Sequence, residues 1–299
     1  MHMFDFRLKV FYTVARRLNF TKAAEELLIS QPAVTKHIKE LESQFNLALF
    51  DRRGNKVLLS PAGEILLKHT EAMQEIYRQV EFDLNQLNHT LKGVLHVGSS
   101  TSITQYILPP LLARFHSIHQ EVKVELLSGN TEQIEQALLD KKIEVGVVEG
   151  KSKRREIHYT PFLKDEIVLV CSSKNPLSKK EEVRPEELRK IPLLLREPGS
   201  GTLEVIADAL KQEGIRLADL DIEMQLGSTE AIKSYLQHSD CAAFLSIHAI
   251  LKELESGTLK VIEIKKLPIH RHFYFITPQG PESGLASLLI RFLVRNHNV

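Results

Sequence analysis

The spacing of apolar side chains divides this chain into stretches of different period. Phe4, Leu8, Phe11, Tyr12 and Ala15 share one face of a first helix that Asn19-Phe20 ends. The segment TKAAEELL then reads as a short helix, with Thr21 accepting a hydrogen bond from its first turn. A tight turn at Ile29-Ser30 leads into a second helix from Gln31, where Val34, Ile38, Leu41 and Phe45 form one buried stripe. Thr35, Lys36 and Lys39 consequently face outward. Ser30 is a good N-cap, and Pro32 lies in the first turn, where its missing N–H costs nothing. The runs ALF and KVLL, joined by DRRGN, read as a hairpin turning at Gly54-Asn55.

From Ser60-Pro61, a cap followed by proline at the first helical position, no proline or glycine after Gly63 interrupts a helical composition until about Thr90. Leu66, Met73, Val80 and Leu87 recur every seven residues there, flanked by Tyr77, Leu84 and Leu91. Such a seam predicts a helix some 42 Å long at ~1.5 Å per residue that pairs with a second copy. Lys92-Gly93 breaks it, and the period changes. Strand-like runs (VLHVG, VKVELLS, IEVGVVE, HYTPFL, IVLVCSS, PLLLRE, DIEMQL, CAAFLS, LKVIEI, HFYFIT) alternate with helix-like ones. The helices are expected at YILPPLLARFHSIH, TEQIEQALLDKK, TLEVIADALKQEG, TEAIKSYLQH, IHAILKELESG and SGLASLLIRFLVRN. This alternation predicts mainly parallel sheets covered by helices.

Composition adds a charge asymmetry. The chain has 299 residues, enough for two or three domains, and its 43% hydrophobic and 26% charged content is that of a soluble globular protein. The net charge is only +1, yet residues 1–60 carry +4 and the remainder −3. A basic N-terminal module is the footprint of nucleic-acid binding. Arg52, Arg53 and Lys56 crowd the hairpin tip, where phosphate contact would release condensed counterions. Gln31, exposed at the tip of its helix, is placed as recognition helices place residues that read base edges. No signal-peptide h-region opens the sequence and no run approaches the ~20 residues of a membrane span, so the expected location is the cytoplasm.

Residues 11–63 contain FxxVAxxLNFTxAAxxLxxSQPAVTKHIKxLExxxxxxLFxRxxxxxxLxxAG, and this order resembles the winged helix-turn-helix of the LysR-type transcriptional regulators. Spacing and identity agree over many positions, although Lys36 and His37 replace the more usual arginine and glutamine. The resemblance implies a mixed α and α/β fold. Its parts are a winged helix-turn-helix at 1–60, a linker and dimerisation helix at 61–91, and an effector-binding domain at 92–299. Spacing alone would also suit one large doubly wound domain in that last part. The resemblance implies instead two subdomains, as in periplasmic solute-binding proteins: 92–161 with 268–299, and 162–267. It further implies double-stranded promoter DNA, a small-molecule effector and RNA polymerase as partners. A homodimer through the linker helix would pair into a homotetramer. Gln31, Pro32, Thr35 and Lys36 would approach base edges, and Thr21, Ser30, Lys39, Arg52, Arg53 and Lys56 would hold phosphates.

Four strand-to-helix junctions share hydroxyls and helix-start N–H groups, which favour an anion. They centre on Ser100, Thr101 and Ser102; on Thr131; on Ser200, Gly201 and Thr202; and on Ser228 and Thr229. Such junctions lie at strand carboxyl ends, where open α/β sheets bind ligands. Arg196 could clamp a carboxylate or phosphate, or could pair with Glu197 or Glu204. No resident cofactor or metal is expected. The phosphate-loop and G-x-S-x-G patterns are absent, which argues against an enzyme. Redox sensing through Cys171 and Cys241, and metal sensing through His270 with His272 or His116 with His119, are the alternatives. Both cysteines sit in apolar runs, and neither histidine pair has further ligands beside it. The run Lys151–Arg155 reads as a solvated loop.

Overall fold

The computed structural model describes residues 5–53, 56–87, 92–150, 153–280 and 284–297. The chain divides into two compact units, Met1–His89 and Thr90–Val299. In the first, α1 (Phe6–Arg17) starts at Asp5, whose side chain accepts the Arg7 N–H, and stops at a left-handed Leu18. Asn19 then caps α2 (Phe20–Leu27), accepting the N–H groups of Thr21 and Lys22 at 2.9 and 3.0 Å. This corrects the expectation for Thr21, which is exposed on the first turn. Phe20 opens α2 instead of closing α1, because its ring is drawn into the core against Phe50.

Ser30 caps α3 (Gln31–Phe45) as expected, and Val34, Ile38 and Leu41 are buried. Phe45 departs from the stripe and is 45% exposed: it is the last helical residue, before the left-handed Asn46. The three helices close around Val10, Phe11, Val14, Phe20, Ala23 and Leu49. Strands β1 (Phe50–Arg53) and β2 (Lys56–Leu59) pair antiparallel, with Arg53 opposite Lys56. The turn at Gly54-Asn55 and the side chains of Arg52, Arg53 and Lys56 lie outside the described residues, as do Phe4, Leu91 and the side chain of Leu87.

The Ser60 hydroxyl accepts the Gly63 N–H and donates to the Ala48 carbonyl, fixing the start of α4 (Pro61–Leu87) under the hairpin. Gly63 is needed there, since a Cβ would fall 2.1 Å from the Leu49 carbonyl oxygen. Leu66 packs on the core, whereas Met73, Val80 and Leu84 are exposed.

The second unit is built on a mixed sheet. Its elements are β3 (Gly93–Ser100), α5 (Thr101–Tyr106), α6 (Leu108–Ile118), β4 (Val122–Gly129), α7 (Thr131–Leu139) and β5 (Val145–Glu149). Then come β6 (Ile157–Ser172), β7 (Glu182–Val183), β8 (Leu193–Arg196), α8 (Gly201–Gln212), β9 (Ile222–Leu226) and α9 (Thr229–Leu236). β10 (Ala242–Ser246), α10 (Ile247–Glu255), β11 (Leu259–Ile264), β12 (Ile269–Pro278) and α11 (Gly284–Asn296) complete it. The ladder runs β4-β3-β5-β12-β6-β10-β8-β9, with β11 on β6 and β7 on β11. Pairing is parallel within β4-β3-β5 and β9-β8-β10 but antiparallel wherever β12 or β6 takes part among these strands.

β6 corrects the expected separation of HYTPFL from IVLVCSS: it is one strand that pairs first with β12 and then with β10 and β11. Pro161 does not interrupt it, because the register shifts between Phe273 and Tyr274 opposite, where the missing donor is tolerated. The expected helix from Tyr106 is found as α6, which begins at Leu108 with Pro109-Pro110 in its first turn; a short helix that the pattern did not announce, α5, precedes it. The two halves joined by β6 and β12 have separate cores. One gathers Leu95, Val97, Phe115, Val145 and Leu289, the other Leu169, Leu195, Val205, Leu210 and Phe244. No described helix is long and apolar enough to cross a membrane.

Candidate functional sites

Two places concentrate exposed or unpaired polar chemistry. On the first unit, the buried stripe of α3 forces its other face outward. Gln31 and Pro32 are exposed at its start, and the Gln31 amide donates to the Thr35 hydroxyl at 3.0 Å, so this pair is held as one polar edge. Lys36 is 76% exposed, with Glu40 4.0 Å away, and Lys39 is also exposed. Pro32, Thr35, Lys36, Lys39 and Glu40, with Arg7, Ser43 and Gln44, line a concavity of about 790 Å³. Arg7 grips Asp5, whose carboxyl is held below its usual range chiefly by that hydrogen bond. His37 turns inward, edge-on to Phe6 at 5.4 Å. Thr21 and Ser30 are exposed at helix starts.

On the second unit, strand carboxyl ends of the two halves meet in a cluster of buried polar side chains. β5 ends in Glu149, whose carboxylate accepts from the Ser100 hydroxyl and, at 3.3 Å, from Thr202. Arg271, 1% exposed and in register with Asp165 across the β12-β6 ladder, donates to Asp165 at 2.6 Å and to Thr202 at 2.8 Å. Its guanidinium also lies 3.5 Å from Glu149. Ser246 donates to the other Asp165 oxygen at 2.7 Å. A cation therefore joins the two connecting strands to both halves, and each buried carboxylate has donors.

The remaining junctions close on one another. Thr131 donates to the Glu149 carbonyl at 2.7 Å, and Ser102 and Thr229 hydroxyls meet at 3.2 Å. The Gly199 carbonyl accepts the Glu132 N–H at 3.2 Å, and the Pro198 carbonyl accepts from Asn130. Gly201 has no room for a side chain, since a Cβ would fall 2.1 Å from the Glu149 carbonyl oxygen. Thr101 is bonded to Gly129, and Ser228 caps α9. At the helix starts of α7 and α9, Asn130 and Ser228 take the Gln133 and Ala231 N–H groups.

Arg196 pairs with Glu197 through two bonds of 2.8 and 3.0 Å, the ion-pair reading of the two open in the sequence. Three buried atoms in these junctions have no partner among the described residues: Arg196 Nη1, Ser200 Oγ and Arg271 Nη2.

Sequence reasoning missed Glu149, Asp165, Arg271 and Ser246. Arg271 was hidden between His270 and His272: strand alternation turns both histidines to solvent and the arginine inward. His119 stacks on Phe115 while His116 is exposed, and no group of three metal-ligating side chains occurs among the described residues. Cys171 and Cys241 are buried free thiols; burial pushes Cys171 up to about 11 and raises Cys241. Of the run Lys151–Arg155, the first two residues lie outside the described residues.

Comparison with known proteins agrees with this division. Residues 6–64 match the family model for the bacterial regulatory helix-turn-helix protein, lysR family, and residues 88–298 match the LysR substrate binding domain. The HTH-type transcriptional regulator CysL of Bacillus subtilis is 31% identical, over 97% of this chain and 96% of its own. Full-length OxyR from Pseudomonas aeruginosa, solved as a cysteine-to-aspartate variant, shares the fold with a TM-score of 0.72 at 19% identity, over 99% of this chain and 96% of that one. The regulatory domain of Synechocystis CcmR, solved in complex with 2-PG, gives a TM-score of 0.63 at 24% identity, over 69% of this chain and 98% of its own.

Proposed function

Since this chain belongs to the LysR family of transcriptional regulators, we propose that its promoter binding is modulated by a small anionic effector held at the polar cluster of the second unit. The protein is a regulator and not an enzyme. In our reading Gln31, Pro32, Thr35 and Lys36 approach base edges, while Thr21, Ser30, Lys39, Arg52, Arg53 and Lys56 hold phosphates. Two copies pair along α4, so that two α3 helices face two half-sites, and dimers assemble into a tetramer.

The observation that carries the effector reading is the trio of buried donors without partners, Arg196 Nη1, Ser200 Oγ and Arg271 Nη2. A buried donor left unpaired costs about 1–3 kcal/mol, and an acceptor supplied by a ligand recovers it. CcmR, bound to 2-PG in its regulatory domain, is a relative in fold that supports the same reading. Glu149 already occupies the hydroxyls of Ser100 and Thr202, so an incoming anion competes with an internal carboxylate. Displacing it would loosen the contacts that join the halves, and the effector shifts their arrangement only as far as its affinities for the two arrangements differ. A thiol sensor fits less well, because burial keeps both cysteines protonated near neutral pH.

Thermal unfolding of the full chain against small carboxylates, amino-acid derivatives, sulfur oxyanions and sugar phosphates tests the proposal. A ligand at ~100 times its dissociation constant adds about 2.7 kcal/mol. The expected result is a hit that disappears in Thr202→Val. A flat panel, or a hit untouched by that substitution, overturns this site.

A further inference from the structure

The concavity beside α3 has a single carboxylate in its lining, Glu40, set among the cations Arg7, Lys36 and Lys39. Its Oε1 lies 4.0 Å from the Lys36 ammonium one helical turn back, and its Oε2 lies 3.6 Å from His37 Nδ1. Its charge also reaches across to α1: Arg7 is raised above its ordinary value, by its bonds to Asp5 first and with a smaller share from Glu40. Lys39 is different. Among the described residues it has no ion-pair partner.

The fold of the first unit does not call for an acid at this position. Glu40 lies outside the buried stripe of α3, is 41% exposed, and takes no hydrogen bond among the described residues. Glu42, two residues on, shows the contrast: its carboxylate accepts the Leu49 N–H at 2.8 Å and ties α3 to the hairpin. An exposed pair such as Lys36 with Glu40 contributes little to a helix. Its effect on DNA is larger, because a cation gains by displacing counterions from a phosphate, and an acid beside it gives part of that gain back.

The loss is uneven between sequences. On unrelated DNA the unit is held by phosphates, so the Lys36 ammonium must choose between a phosphate and Glu40. On an operator Lys36 turns to a base edge, where guanine acceptors take it, and Glu40 no longer competes with a phosphate for it. We propose that Glu40 is a specificity-determining residue: by holding Lys36 away from phosphates, it weakens binding to unrelated DNA more than binding to the operator. The inference rests on α3 facing DNA, as proposed above, and adds to that reading a residue that selects by repulsion.

Fluorescence anisotropy of the full chain on a selected operator and on a scrambled duplex, each over a series of salt concentrations, tests the role in Glu40→Gln, Lys36→Ala and the double variant. Glu40→Gln should bind the scrambled duplex about threefold more tightly at low salt, with a salt slope steeper by about one unit, and change operator affinity by less than about twofold. In the Lys36→Ala background the gain should shrink, since the side chain that Glu40 restrains is gone. No gain, an equal gain on both duplexes, or a gain undiminished without Lys36 each overturns the proposal. Lys39→Ala checks the premise by itself: it should weaken binding to both duplexes, and if both are unchanged the reading of α3 fails and the proposal with it.

Discussion

Arg271 shows how much depends on one side chain. Buried between Asp165 and Glu149, it lets two carboxylates and the hydroxyls of Thr202 and Ser246 be desolvated together. Removing one member of such a set leaves the others uncompensated, which is where large losses arise. Glu149 is the member whose removal separates stability from binding. Glu149→Gln keeps the size but removes the charge that an anionic effector would face. The variant should unfold earlier without ligand, by about 1–3 kcal/mol, yet bind the effector about tenfold more tightly, because a few ångströms of separation in a partly buried site make like charges cost at least ~1.4 kcal/mol. Titration calorimetry on both forms reads this directly; equal affinities would show that Glu149 does not compete. None of this was legible beforehand. Ser100, Thr131 and Thr202 could be found because Gly-Ser-Thr junctions announce helix starts, but Glu149 closes an apolar strand and Arg271 sits between two histidines. Only the register of β12 against β5 on one side and β6 on the other brings them together with Asp165.

Elements were more legible than their ends. The α3 stripe, the hairpin and α4 follow from period and turn residues, since each is decided locally. The misassignments came where two local signals competed. Asn19 outcompeted Thr21 as cap, and the bulge opposite Pro161 let β6 continue. Helix α4 poses the clearest question at this scale. Met73, Val80 and Leu84 are 39, 36 and 53% exposed in a single chain, and a seam of that kind is stable in water when another helix covers it. Val80→Glu buries a charge in the proposed pairing and should convert dimers to monomers in light scattering at micromolar concentration, while the helix content of the chain is kept. A dimer that persists would place the main contact elsewhere, on the second unit.

At the scale of the whole molecule, a basic helix-turn-helix unit and an acidic unit that matches the substrate binding domain lie on one chain, and the charge asymmetry of the sequence already separated them. The family is assigned through both units, because each matches its own model. The central claim is that α3 reads sequence through its first turn and that the rest of the basic surface positions it. The most direct measurement is the affinity of the full chain for an operator selected from random duplexes, against a scrambled duplex at the same salt concentration, for the wild type and Gln31→Ala. Gln31 and Thr35 are joined in one polar edge, so the substitution should weaken operator binding by about 1–3 kcal/mol and leave scrambled-duplex binding unchanged. Equal losses on both duplexes would contradict the assignment of Gln31 to base edges and, with it, the reading of α3 as the element that selects the promoter.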